Sequence, residues 1–93
     1  MSYRVRFDPV AERALLDLAK DARQRIIARL QALAHDPRPS TTQPLVGNLK
    51  GLRKLRVGAY RVAYRVDDEA RTVTISEIGH RGKFYQKTGR GRG

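Results

Sequence analysis

Residues 52–66 carry the strongest constraint on what this chain can become. Lys54-Leu55-Arg56-Val57 and Tyr60-Arg61-Val62-Ala63-Tyr64-Arg65-Val66 each alternate in character, and Gly58-Ala59 separates them. A period of two on both sides of a glycine-containing break predicts two strands joined by a turn. The chain has only 93 residues, 40% of them hydrophobic. That is one domain with one modest core. It has no cysteine, which excludes disulfides, thiolate nucleophiles and cysteine-held zinc.

The segments around this hairpin supply the cover. Tyr3–Phe7 alternates apolar and basic residues, as a half-buried strand does. Asp8-Pro9 then offers an N-cap and a first helical residue, and Ala11, Ala14, Leu15 and Leu18 form one apolar helical face. Asp21, with Gln24 three residues on, predicts the cap of a second helix; Ala22, Ile26, Leu30 and Leu33 make its stripe, flanked by Ile27 and Ala34. Asp36-Pro37 ends that helix. Residues 37–51 read as a connecting loop, with Leu45, Val46 and Leu49 available to pin it down. Arg71–Ile78 reads as another strand after a turn at 67–70, and Gly79–Tyr85 as a short strand or ordered segment. The expected fold class is α+β: a helical hairpin on one face of a small antiparallel sheet. Residues 1–86 form the expected domain, and the Gly/Arg-rich stretch 87–93 reads as a disordered basic tail.

Charge separates the two halves of the chain. Residues 1–36 hold seven Lys/Arg and five Asp/Glu, and residues 37–93 hold thirteen and four. The overall net charge is +11 and the pI is near 11.1. Such an excess costs self-repulsion and suits a polyanionic partner. Strand parity predicts where the charge lies. If Leu55, Val57, Tyr60, Val62, Tyr64, Val66, Val73 and Ile75 pack on the helices, then Lys54, Arg56, Arg61 and Arg65 line the opposite, open face, with Thr72, Thr74 and Ser76. Arg81 and Lys83 follow in sequence. A solvated basic sheet surface is the simplest reading of any one of these residues; several cations on one face without matching acids point to a phosphate backbone.

Other chemistries find little support. No Walker-type glycine loop and no paired-histidine motif is present, so neither a metal nor a cofactor is expected. His35 suits a helix C-terminus. His80 stands beside the basic cluster with either a structural or an acid–base role, and Tyr85 either packs or stacks on a base. The opening MSYRVRFD lacks a signal-peptide core, and no apolar run approaches the roughly 18 residues of a membrane span. A cytoplasmic protein without a membrane partner is expected.

Leu49–Tyr64, containing Lys50-Gly51-Leu52-Arg53-Lys54-Leu55-Arg56-Val57-Gly58-Ala59, closely resembles the core segment of the RelE/ParE toxin superfamily. Ile78-Gly79-His80-Arg81 and the closing Phe84-Tyr85 resemble its C-terminal signature. The likeness spans residues 3–86 and implies the helical hairpin and sheet derived above. It also implies a type II toxin of the RelE branch, a ribosome-dependent endoribonuclease (mRNA interferase) that cleaves messenger RNA in the A site and so inhibits translation. The superfamily's other branch, ParE-like, inhibits DNA gyrase. Residue by residue, the resemblance assigns catalysis to Lys54, Arg61, Arg81 and Tyr85: proton removal from the ribose 2′-hydroxyl, stabilisation of the phosphorane-like state, protonation of the leaving oxygen, and base stacking. RNA contacts are expected from Arg53, Arg56, Arg65, His80 and Lys83. Some RelE proteins carry a second lysine where this chain has Leu52. The implied partners are the ribosome with its messenger RNA and an acidic, RelB-like antitoxin, in a toxin–antitoxin hetero-oligomer.

Overall fold

The central strand, β4 (Tyr60–Asp67), organises the molecule. In the computed structural model, which describes residues 2–45 and 51–80, it lies third of five in one sheet. The other strands are β1 (Arg4–Phe7), β2 (Thr42–Pro44), β3 (Arg53–Val57) and β5 (Thr72–His80), in spatial order β1-β5-β4-β3-β2. The predicted hairpin is present: β3 and β4 pair antiparallel, with Leu55 opposite Val62 and Val57 opposite Tyr60. Gly58 adopts φ +60° in the turn, a conformation that L side chains rarely take.

Two helices cover one face. The first, α1 (Pro9–Leu16), begins after Asp8, whose extended backbone (ψ 152°) makes it the N-cap and whose carbonyl accepts from Glu12 N–H at 2.9 Å. The second, α2 (Lys20–Ala32), begins one residue before the expected cap. Ala19 is the N-cap, and Asp21 instead sits in the first turn, where a carboxylate meets the positive end of the helix dipole. The Asp21 capping box is therefore not formed. Ala11, Leu15, Ile26, Leu30 and Leu33 from the helical side meet Leu55, Val57, Val62, Tyr64, Val73, Ile75 and Ile78 from the sheet. Tyr64 is fully buried and donates its hydroxyl to the Pro37 carbonyl at 2.7 Å, which satisfies its polar end and ties the post-helix segment to the core.

The sheet departs from expectation in three ways. It is mixed, because β1 runs parallel to β5, pairing Val5 with Val73 and Phe7 with Ile75. Both helices and strands β2, β3 and β4 intervene between them in the chain, a connection far longer than parallel neighbours need. Secondly, the predicted loop contains β2, which pairs Thr42 with Leu55 and Pro44 with Arg53. Its shortness and its proline suit a sheet edge. Thirdly, β5 carries a bulge. Tyr64 pairs with Ile75 but Ala63 pairs with Glu77, so Ser76 is the extra residue. Beyond it the parity reverses: Ile78 joins the core beside Val62, and Glu77 and Gly79 lie on the face opposite the helices. Regular alternation in the sequence predicts Ser76 on that face instead.

β5 extends to His80, the last described residue, and so takes in the start of the 79–85 segment expected as a short strand or ordered stretch. Val46, Leu49, the 81–85 segment and the 87–93 tail lie outside the described residues. Among the described residues, no helix is long and apolar enough to cross a membrane.

Candidate nucleic-acid interface

The face of the sheet away from the helices is built in rows across the strands. One row runs Gln43–Lys54–Ala63–Glu77 through β2, β3, β4 and β5. The next, toward the β3–β4 turn, is Arg56–Arg61–Gly79. On the other side of the first, Arg65 pairs with Thr74, and Thr74 pairs with Arg6 of β1. Successive rows on one face stand about 6.7 Å apart along the strands. Lys54, Arg56, Arg61 and Arg65 thus share a face, as the parity argument requires.

The centre of this face is enclosed, where open solvent was expected. Ala63 is fully buried and Arg61 only 8% exposed, whereas Arg56 and Arg65 are exposed. The reason is position. Both belong to the central strand: Ala63 is flanked in its row by Lys54 and Glu77, and Arg61 lies between Arg56 and Gly79, while a tip or edge residue has one open side. The Arg61 Nε and Nη1 are buried, and neither has a hydrogen-bond partner among the described residues. Arg56 lies directly opposite in the ladder. Like charges facing one another across a strand pair are destabilising. A buried guanidinium with unmet donors, held against a second guanidinium, is a geometry that an anion would relieve. Arg presents a planar fork that fits phosphate oxygens two at a time. Lys54, half-buried in the neighbouring row, stands diagonally from Arg61 at the ~7–8 Å spacing of such pairs.

Two of the expected RNA contacts lie elsewhere. Arg53 is on the helix side of the sheet, level with Tyr64, and its guanidinium is spent on Thr42: Nη2 donates to Oγ1 at 3.0 Å and Nε at 3.2 Å. Thr42 in turn donates to the Pro39 carbonyl at 2.8 Å, so Arg53 clamps the β2 edge. The reversed parity beyond the bulge turns His80 to the side of Tyr60, which it meets edge-to-face with ring centroids 5.6 Å apart. Arg81, Lys83 and Tyr85 lie outside the described residues. The parallel pairing of β1 adds two cations the motif did not include, Arg4 and Arg6, both exposed on the same face as Arg65. Their alternation with Val5 and Phe7 was visible, but which sheet neighbour they would join was not.

A separate polar cluster holds the opposite end of the molecule. Arg38 grips Asp68 with two parallel hydrogen bonds, 3.1 and 2.9 Å, and Tyr3 donates its hydroxyl to the same carboxylate at 2.7 Å. Donation from Arg38 first, then Tyr3, holds the Asp68 carboxyl below its ordinary value. The same bond to Asp68 pushes the Tyr3 hydroxyl up. Among the described residues, no three His, Cys, Asp or Glu gather as a metal site.

A two-helix layer on one face of a five-stranded mixed sheet, with a basic opposite face, defines a toxin of the RelE/ParE superfamily. The chain belongs to the family described as the ParE toxin of type II toxin–antitoxin systems, which it matches over residues 5–85. It is 36% identical to Toxin RelG of Mycobacterium tuberculosis over 92 residues, covering 94% of this chain and all of that one. Among solved structures it resembles the toxin–antitoxin complex RelBE2 of M. tuberculosis, with a TM-score of 0.79 and 34% identity over 87% of this chain and 100% of that one. It also resembles the archaeal RelE–RelB complex of Pyrococcus horikoshii, with a TM-score of 0.76 and 29% identity over 89% and 99%.

Proposed function

We propose that this toxin is a ribosome-dependent endoribonuclease that cuts messenger RNA in the A site. The observation that carries this reading is Arg61: nearly buried, short of hydrogen-bond acceptors, opposite Arg56 and one row from Lys54. In the proposed reaction Lys54, as its neutral amine, accepts the proton of the ribose 2′-hydroxyl. The oxygen attacks the adjacent phosphorus, and the bond to the 5′-oxygen breaks. The products are a 2′,3′-cyclic phosphate and a 5′-hydroxyl. Arg61 binds the non-bridging oxygens where charge accumulates, which is the largest electrostatic contribution such a site can make. Arg56 and Arg65 hold neighbouring phosphates. By the resemblance, Arg81 protonates the leaving oxygen and Tyr85 stacks on a base. The names of similar proteins, RelG and RelE, support this branch.

The partner is a RelB-like antitoxin, as in the RelBE2 and archaeal RelE–RelB complexes. An acidic segment of it would neutralise the basic face and form the hetero-oligomer. The test is cleavage of a defined A-site codon by purified, antitoxin-free protein. A cut within the codon is expected, and intact message overturns the reading. The family description, ParE toxin, favours a second reading, gyrase inhibition without nuclease chemistry. Loss of gyrase supercoiling with message left intact would select it.

A further inference from the structure

The basic face does not end at the residues assigned to chemistry. Arg6 pairs with Thr74 and Thr74 with Arg65, so Arg6 and Arg65 flank a threonine in one row. Arg4 stands in the next row, opposite Thr72. Arg4, Arg6 and Arg65 are all exposed, and among the described residues none of the three makes an ion pair. Their strands place them on the same side as Arg61, two and three rows further along the sheet.

We propose that Arg4, Arg6 and Arg65 form a second phosphate-binding patch that grips the RNA backbone away from the scissile bond. This rests on the ribonuclease reading and extends it to edge strand β1. From Arg61 to Arg65 is four strand residues, about 13 Å, and β1 lies two strand spacings, about 10 Å, beyond β4. That reach takes in several successive phosphates. Thr74, between the two arginines, adds a hydroxyl able to donate to a phosphate oxygen. Charged side chains on an edge strand also discourage pairing with another chain, but either sign serves that purpose. Here both charges are positive: Arg6 continues the row of Thr74 and Arg65, while Arg4 shares its row with Thr72 and Asp67.

The experiment titrates full-length toxin against programmed ribosomes at several salt concentrations, reading ribosome binding and single-turnover cleavage together. Three forms are compared: wild type, Arg4→Gln with Arg6→Gln, and a charge-matched control, Arg13→Gln with Arg29→Gln, on the exposed side of the helices. Each phosphate contact to single-stranded RNA contributes about 0.7 to the slope of log affinity against log salt. The β1 variant should therefore lose about 1.4 of that slope and bind more weakly. Its cleavage rate at saturation should stay unchanged, and the control should behave as wild type. Equal slopes for all three forms, or equal losses in variant and control, overturn the patch. So does a β1 variant with wild-type ribosome binding that no longer captures an acidic antitoxin peptide, since the surface would then serve the antitoxin. If wild type binds ribosomes without cutting, the nuclease reading fails and the binding slopes still decide the patch. If it does not bind them at all, both fail.

Discussion

Arg56 of β3 and Arg61 of β4 are paired residues of one antiparallel ladder, and Arg61 is 8% exposed with two buried guanidinium nitrogens that have no hydrogen-bond partner among the described residues. A chain selected for stability alone gains nothing from that juxtaposition. Replacing a buried, poorly satisfied charge by an apolar residue of similar size is often stabilising. Arg61→Met should therefore raise the stability of the free toxin by about 1 kcal/mol, or Tm by about 4–8 °C. It should also cut cleavage by about a hundredfold or more. Thermal unfolding and a single-turnover assay on one preparation check both. A lower Tm would mean that Arg61 holds the sheet together.

Arg53 offers the opposite case. Its bonds to Thr42 fasten β2, on the side of the sheet away from Lys54. Arg53→Ala should cost about 1.5 kcal/mol in urea unfolding and leave cleavage per folded molecule unchanged. A variant of normal stability that no longer cuts RNA would place Arg53 in the site after all.

The fate of these neighbouring residues shows how much was legible. Periodicity gave the β3–β4 hairpin, the helix faces and the separation of Lys54, Arg56, Arg61 and Arg65 from the core, because alternation is a local property. Three features are not local. Nothing near Tyr3–Phe7 says that it pairs in parallel with a strand some 70 residues on, so the sequence does not tell that Arg4 and Arg6 join the face of Arg65. The bulge at Ser76 has no glycine to announce it, yet it turns Glu77 and Gly79 to the basic face and His80 away. The placement of Arg61 on the central strand, between Arg56 and Gly79, is a matter of topology. The roles of Arg81, Lys83 and Tyr85 rest on the resemblance.

Tyr64 tests the core. Its hydroxyl bond to the Pro37 carbonyl is made by a fully buried side chain. Tyr64→Phe keeps the packing and strands that acceptor. Stability should fall by about 1–2 kcal/mol with an unchanged denaturant slope, because the same surface is exposed on unfolding.

Asp68 governs one acid-sensitive contact. Its carboxylate accepts from Arg38 and Tyr3, which lowers its folded-state value. A carboxyl depressed by folding contributes stability that is fully present above its unfolded value, near 3.9. That contribution is lost as pH falls through the folded value. Asp68→Asn should flatten the stability profile below about pH 4 and leave activity at neutral pH intact. An unchanged acid profile would show that the Arg38–Asp68–Tyr3 cluster is not what acid breaks.

The chemistry proposed for this basic face is attack of the ribose 2′-hydroxyl on its own adjacent phosphate. The direct measurement places two messages in the ribosomal A site, one all-ribose and one with a 2′-deoxy nucleotide at the scissile position, and analyses the ends after a single turnover. A cut is expected only in the all-ribose codon, leaving a 2′,3′-cyclic phosphate and a 5′-hydroxyl, and no cut with Arg61→Ala. Cleavage of the deoxy message, or undiminished cleavage without Arg61, would contradict it.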